Sequence, residues 1–305
     1  MIIIYLKGGI GNQLFQYALG ENLRNKGKVI KYDISSFKND YRSFRLNHFN
    51  MKIPLLNEEE KKHFVKLYTK FKRKPKNNKK GLVSKLIRKV SWYYENITYV
   101  YENTVHEKLF FDRRIFKLKG RKILEGYWAN ILYYNEIRDS LISKIELNST
   151  SCSKEYLDYK KEIENCVNSV SIHVRRGDYL EDNNKKRFTQ LGLDYYNKGI
   201  EFMKNNFSNV KFFVFSNDIE WCKKNFERSN DFIYVGNNKL EDYHDFSLIK
   251  FCKHNIIANS TFSWWGAYLN NNQNKIVIMP KNWYGSKLLQ KDYEKRQNIP
   301  ESIRL

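Results

Sequence analysis

The chain is poor in the features that several enzyme and binding classes require. Its 305 residues include only four cysteines, Cys152, Cys166, Cys222 and Cys252. None belongs to a CxxC pair or has a histidine at metal-ligand spacing, so a zinc-finger site and a disulfide framework are both excluded. The four read as reduced structural thiols of a cytosolic protein. No two aspartates are separated by a single residue, so the DxD arrangement that holds a metal against a diphosphate is missing. No apolar run nears the roughly 18 residues that span a bilayer. The opening MIIIYL, followed by Lys7, Gly8 and Gly9, is too short for a signal-peptide core. A cytoplasmic chain is expected, with any membrane attachment peripheral. Only four prolines are present, and no Pro/Gly-rich linker marks a domain boundary.

Positive charge is what the chain has in excess, at a net +22. It is unevenly spread: the stretch 61–89, KKHFVKLYTKFKRKPKNNKKGLVSKLIRK, holds 13 of the 55 Lys and Arg residues and no acid. Elsewhere the surplus falls to nine. The segment reads either as a solvated basic insertion or as a peripheral contact with an anionic membrane surface, where Phe64, Val65, Leu67, Tyr68 and Phe71 recur at helical spacing. Nucleic-acid binding is the third reading of a basic chain. The charge lies outside the motifs described below, so no nucleic-acid partner is expected. A hydrophobic content of 41% and an aromatic content of 16% exclude disorder and collagen-like structure. Length allows two domains, each with its own core.

Strand and helix patterns alternate along most of the chain. Ile2-Ile3-Ile4-Tyr5-Leu6 reads as a buried strand feeding a Gly-rich turn. A helix follows, with Leu14, Phe15, Ala18, Leu19 and Leu23 on one face and Gly27 past its end, then a strand at Val29–Asp33. This β-α-β start is nucleotide-binding in style. It lacks a dinucleotide fingerprint, because Leu14 stands three residues after Gly11 where a glycine is needed. Residues 40–125 read as short helices and insertions, with a further strand from Ile123. After a helix near Tyr156–Ile163 come strands at Val167–Ile172, Val210–Phe215, Phe232–Gly236, Asn255–Ala258 and Ile276–Met279, with helices between them. That alternation predicts an α/β fold with parallel sheets covered on both faces. The expected domains are 1–155, carrying the basic insertion, and 156–305.

Two constellations at predicted strand ends carry the chemistry, where open α/β sheets bind ligands. In SIHVRRGDYL, His173 and Arg175 share one face of an extended segment while Arg176 points away. Guanidinium groups fork onto phosphate oxygens, and Gly177 lets the backbone turn sharply. A structural Arg–Asp pair is the plainer alternative. In ANSTFSWWGA, Asn259, Ser260, Thr261, Phe262 and Ser263 end a strand and begin an aromatic helix whose N-terminus is ready for an anion. Plain capping, with Trp264 and Trp265 as core, also fits. Taken together, the two stretches imply a diphosphate held from two sides. Asp218 and Asp245 either recognise a base or ribose or cap helices. Asn12, Gln13 and Gln16 would offer amides to an acceptor sugar from the first half, or serve as helix-surface groups.

GGIGNQLFQYA at 8–18, HVRRGDY at 173–179 and IIANSTFSWWGAYL at 256–269 resemble the α-1,2-fucosyltransferase family, glycosyltransferase family 11. The three motifs stand in the family's order over most of the chain, with Ile10 and Leu14 as apolar exchanges in the first. The resemblance implies a GT-B architecture, two Rossmann-like domains facing across a cleft. It implies transfer of L-fucose from GDP-fucose to the 2-hydroxyl of a galactoside, with inversion and no obligatory metal. It places Arg175 on the diphosphate, His173 on the nucleotide, Asp245 on guanine, and Ser260, Thr261 and Ser263 on the phosphates. Asp178 is the first choice for the base that deprotonates the acceptor; Glu181 and Asp182 are alternatives, and Asp178 could instead orient Arg175 or Arg176. The expected acceptor is a galactose-terminated oligosaccharide or lipid-linked glycan. Rival readings are another GDP-sugar transferase (α-1,6- or protein O-fucosylating), an inactive sugar-binding module, or a polyanion binder.

Overall fold

The computed structural model describes residues 1–38, 40–62, 99–102, 104–105, 108–109, 111–180, 187–226, 229–236, 240–300 and 302–305. All but the first two residues of the basic segment 61–89 lie outside them, as do Glu181, Asp182 and the side chain of Asp178.

The first half builds from β1 (Ile2–Tyr5), α1 (Ile10–Asn25), β2 (Ile30–Asp33), β3 (Tyr99–Tyr101), a small antiparallel ribbon of β4 (Thr104–Val105) and β5 (Lys108–Leu109), and β6 (Lys122–Glu125). Its sheet is parallel throughout, in the order β2-β1-β6-β3. The β-branched run Ile2-Ile3-Ile4 is buried, as expected for a parallel strand covered on both faces. The helix α1 stops at Gly27, which adopts φ +76 and supplies the left-handed residue that closes a helix.

The second half runs through α2 (Arg138–Lys144), α3 (Lys154–Asn165), β7 (Asn168–Val174), α4 (Leu193–Asn206), β8 (Val210–Ser216), α5 (Ile219–Asn225), β9 (Phe232–Val235), α6 (Asp242–Phe251), β10 (His254–Ile256), α7 (Thr261–Leu269), β11 (Val277–Met279), α8 (Lys287–Arg296) and β12 (Ile303–Arg304). Six parallel strands lie in the order β9-β8-β7-β10-β11-β12. Counted from β7 this is 3-2-1-4-5-6, the doubly wound order of Rossmann sheets, and its strand order reverses between β7 and β10. The two halves face each other across a cleft, which is the GT-B arrangement. The elements the pattern did not predict are β3, β4, β5, α2, α5, α8 and β12. The strands among them are two or three residues long, and α8 is a charged stretch with little periodicity.

Each half has apolar packing of its own, around Ile3, Leu56 and Ile123 in the first and on the far face of the larger sheet in the second, and a shared cluster joins them. One hydrophobic cluster runs from β1 and α1 through Tyr134 into α6 and α7, and a second fills the far face of the six-stranded sheet around Ile172, Tyr196 and Phe212. The physical reason is visible at Phe15. Its ring lies 5.8 Å from Tyr134, 5.3 Å from Trp264 and 5.0 Å from Trp265. Squeezed between its own sheet and α7, α1 is buried almost all round from Ile10 to Leu23, not along one stripe. Truncating Phe15 to alanine should cost about 3–5 kcal/mol. Because the ring joins the halves, denaturant should still unfold the variant in one transition. A loss under about 1 kcal/mol, or two separate transitions, would contradict a shared core. The four cysteines are all free. No helix among the described residues is long and apolar enough to cross a membrane.

Candidate active site

A cavity of about 600 Å³ opens between the halves at the carboxyl ends of β7 and β10. The first half contributes the start of α1, the loop around Arg42–Arg45, and Tyr127 and Ala129 beyond β6. The second contributes the ends of β7 and β8, the N-terminal turns of α6 and α7, and the aromatic stretch at Trp283 and Tyr284.

The strand β7 continues through Val174, so its alternation decides where each charged side chain goes. His173 and Arg175 reach the cavity. Arg176, on the other face, bonds Asp218 at 3.2 Å and lies 4.0 Å from the Trp221 ring centre. Gly177 follows at φ +23, and a Cβ there would fall 2.2 Å from the Asn217 amide nitrogen. That glycine lets the chain leave the sheet where Asn217 accepts the Arg176 backbone N–H at 3.0 Å. The His173 Nδ1 lies 2.8 Å from the Ser263 hydroxyl. Burial first, and the adjacent Arg175 second, push the His173 pKa down to about 3. The imidazole is therefore neutral at physiological pH and fixes geometry instead of carrying charge.

Two helix N-termini meet at the cavity. On α7, Ser260 caps the helix by accepting the Phe262 N–H. On α1 the cap is Gly9, which has no side chain to occupy the first turn. The two ends touch: a Cβ on Gly11 would lie 2.6 Å from the carbonyl carbon of Thr261. Each terminus carries about half a positive charge from its aligned peptide dipoles. With Arg175 alongside, this wall of the cavity is built for an anion.

The expected site residues divide accordingly. Asn12, His173, Arg175, Asp245, Asn259, Ser260, Thr261 and Phe262 line the cavity. Of these, Asn259 already donates its amide to the carbonyls of Thr189 and Trp283. Four expectations do not fit. Gln13 is buried, donating to the Gly8 and Ser43 carbonyls and accepting from the Arg45 N–H. Gln16 is buried between the Lys7 N–H and the Gly126 carbonyl. Neither amide is left to meet an acceptor, because α1 is enclosed on all sides. Ser263 sits beneath the cavity and holds His173. Asp218 caps α5 through the Trp221 N–H and pairs with Arg176, away from the wall.

Sequence reasoning missed several wall residues. Arg42, Arg45, Arg187 and Arg296 bring further positive charge, although Arg45 is bound by Glu241 and Asp242 across the cleft at 2.9 Å each. Tyr179, Phe188 and Tyr284 form a continuous aromatic stack, with centroids 4.7 and 5.4 Å apart. Apart from Tyr179, which closes the HVRRGDY stretch, none belongs to a spaced pattern, and only folding assembles them.

A family model described as glycosyl transferase family 11 matches residues 1–300. The chain belongs to glycosyl transferase family 11. It is 31% identical to the O-antigen biosynthesis glycosyltransferase WbnK of Escherichia coli over 293 residues, covering 92% of this chain and 93% of that protein. It is also 31% identical to an alpha-1,2-colitosyltransferase of Escherichia coli over 303 residues, covering 93% and 92%. The galactoside alpha-(1,2)-fucosyltransferase 2 of Bos taurus is 28% identical over 155 residues, 48% of this chain and 44% of that one. This family 11 chain is thus a glycosyltransferase, with its two halves arranged as a GT-B enzyme.

Within the family 11 cleft, Asp245 stands out electrostatically. Its Oδ1 is shut off from solvent and accepts no hydrogen bond from the described residues. Desolvation, reinforced by the neighbouring Asp242, raises its pKa to about 8. An unsatisfied carboxylate oxygen is costly in a protein interior, and a ligand presenting N–H groups would relieve it.

Proposed function

We propose that this chain moves L-fucose from GDP-fucose to the 2-hydroxyl of a terminal galactoside, inverting the sugar's anomeric carbon. One observation carries the reading: Arg175 and two helix N-termini converge at the point where the strand order reverses. That is the place for a diphosphate whose charge grows as its bond to the sugar breaks. The named linkages of the alpha-1,2-colitosyltransferase and the galactoside alpha-(1,2)-fucosyltransferase support a 2-hydroxyl as acceptor.

In this reading the acceptor oxygen attacks C1 of the fucosyl group from the face opposite GDP. The C1–O bond breaks, its electron pair passes to the β-phosphate oxygen, and the diphosphate gains one negative charge. Arg175 and the two helix ends receive that charge, so no metal is obligatory. The acceptor proton goes to a carboxylate, with Asp178 assigned first and Glu181 or Asp182 as substitutes. Neutral His173, fixed by Ser263, contacts the nucleotide, Ser260 and Thr261 the phosphates, and Phe262 the nucleotide side of the pocket. A lipid-linked oligosaccharide as acceptor would suit a membrane-facing role for the basic segment 61–89.

Asp245 receives the guanine N1–H and N2–H in this scheme, and only its ionised form accepts both. With the free carboxyl titrating at about 8, binding at lower pH must first expel its proton. The affinity for GDP-fucose should therefore rise roughly ten- to thirty-fold from pH 6.5 to 8.5 and level off above, as linkage requires. Calorimetry in buffers of different ionisation enthalpy should register proton release near pH 7, and Asp245→Asn should flatten the dependence. A flat wild-type profile would remove guanine from Asp245.

The decisive assay incubates the protein in EDTA with β-galactosides and either GDP-fucose or its 3-deoxy counterpart, GDP-colitose, because a colitosyltransferase matches as closely as any relative named here. An α-1,2-linked fucoside supports the proposal. Transfer from the 3-deoxy donor alone keeps the linkage and changes the sugar. Dependence on added metal would reject the charge-stabilising scheme.

A further inference from the structure

The first half of the cleft lacks the acceptor contacts expected of Gln13 and Gln16, yet it holds one side chain in an arrangement built for contact. Tyr127 lines the cavity with 40% of its surface exposed. The loop that carries it is fixed from three directions. Glu102, 8% exposed at the end of β3, accepts the Tyr127 N–H at 2.7 Å. From α1, the Gln16 amide donates to the Gly126 carbonyl at 3.0 Å. From α8 in the other half, Arg296 donates to the Ala129 carbonyl at 3.1 Å. Gly126 has no room for a side chain, because a Cβ would sit 2.3 Å from that of Glu102.

The next residue, Trp128, is held at φ +58 and buried. A bulky side chain in the left-handed region is a strained conformation, of the kind that persists where surrounding contacts over-determine it and that clusters at ligand sites. The strain turns Trp128 inward while its neighbour Tyr127 faces the cavity. Lys7 lies 5.4 Å from the Tyr127 ring centre and is itself tied to Glu125 at 3.4 Å. It is the only cation or ring on the Tyr127 face among the described residues. The other exposed cleft tyrosine, Tyr41, has no comparable support: it is 85% exposed, with Arg42 over its ring.

We infer that Tyr127 is the stacking platform for the acceptor galactoside, and that Glu102 is the positioning residue that holds it. Galactose presents its C3, C4 and C5 hydrogens on one face, and that apolar face packs flat on an aromatic ring. A rigid tyrosine gives such contact area with little ordering cost. The inference rests on the proposed function for the identity of the sugar.

The test titrates β-galactoside at saturating GDP-fucose, and GDP-fucose at saturating acceptor, for wild type, Tyr127→Ala and Tyr127→Trp. The expected result is an acceptor KM about ten-fold higher in the alanine variant, the factor that corresponds to about 1.4 kcal/mol. The donor KM should stay within about two-fold, and tryptophan should restore most of the acceptor affinity. Glu102→Ala, which removes the group that accepts the Tyr127 N–H, should raise the acceptor KM in the same sense. An unchanged acceptor KM in Tyr127→Ala, or an equal rise for the donor, overturns the inference. Should transfer go to a glycan without galactose, the galactoside reading falls, and the Tyr127 ratio measured on that glycan still decides this inference.

Discussion

Replacing Arg175 with alanine is expected to lower turnover about 100- to 1000-fold, the loss typical of removing one preorganised donor from a developing oxyanion. The size follows from where the side chain sits. Arg175 leaves β7 on the cavity face at the strand-order reversal, beside the N-terminal turn of α7. In the ground state the diphosphate diester carries its charge before and after binding, whereas the departing GDP gains a further unit. A guanidinium fixed at that point interacts more strongly with the transition state than with the bound donor. The effect should therefore fall mainly on kcat, with a smaller rise in the GDP-fucose KM. Arg175→Lys should recover only part of the loss, since an ammonium keeps the charge and lacks the planar fork. A fall of less than about ten-fold in Arg175→Ala would show that the helix ends carry the diphosphate without it.

How much of this site could be read in the sequence depended on whether the relevant contacts were local. The ends of β7 and α7 were legible because a β-branched run, a charged turn and a run of capping residues each act within a few positions. The side-chain alternation of His173, Arg175 and Arg176 came with them. The meaning of GGIGNQ was not legible. As a phosphate loop it reads weakly, and the actual reason for Gly11 is the backbone of Thr261, brought in from the other half of the chain. Gln13 and Gln16 failed as acceptor ligands because backbone of their own half closes over them, Gly8, Ser43 and Arg45 on the first and Lys7 and Gly126 on the second. A helix pattern shows which residues share a face, but it cannot show which loops cover that face. Asp218 and Ser263 are polar residues one step from the wall, and spacing alone does not separate a residue that touches a ligand from one that holds its neighbour. That the halves share part of their interior was hidden for the same reason: Phe15 meets Trp264 and Trp265, residues more than two hundred positions away.

The contact between Gly11 and Thr261 gives the second large prediction. A methyl group on Gly11 would meet the Thr261 carbonyl carbon at 2.6 Å and its hydroxyl at 2.7 Å. Carbon atoms settle at about 3.5–4.0 Å, so the start of α1 and the start of α7 would have to separate by about 1 Å. Neither partner can yield by rotating a flexible side chain, because the closest atoms include the Thr261 backbone, on a helix buried from Ser263 to Leu269. Overpacking of this kind costs about 1–3 kcal/mol in stability. A misplacement of about 1 Å between groups that must act together costs on the order of 100-fold in rate. Gly11→Ala should therefore fold, with a lowered denaturation midpoint, and lose about 100-fold in turnover. Gly192→Ala, at the cap of α4 and outside the cavity, meets nothing within 4 Å and should change neither quantity appreciably. If Gly11→Ala loses stability but keeps full activity, the diphosphate does not need both helix ends, and the charge must be met by Arg175 and α7 alone. If both fall together, the glycine that sequence reading treated as a turn residue is the point at which the two halves of the enzyme are set to the reach of one diphosphate.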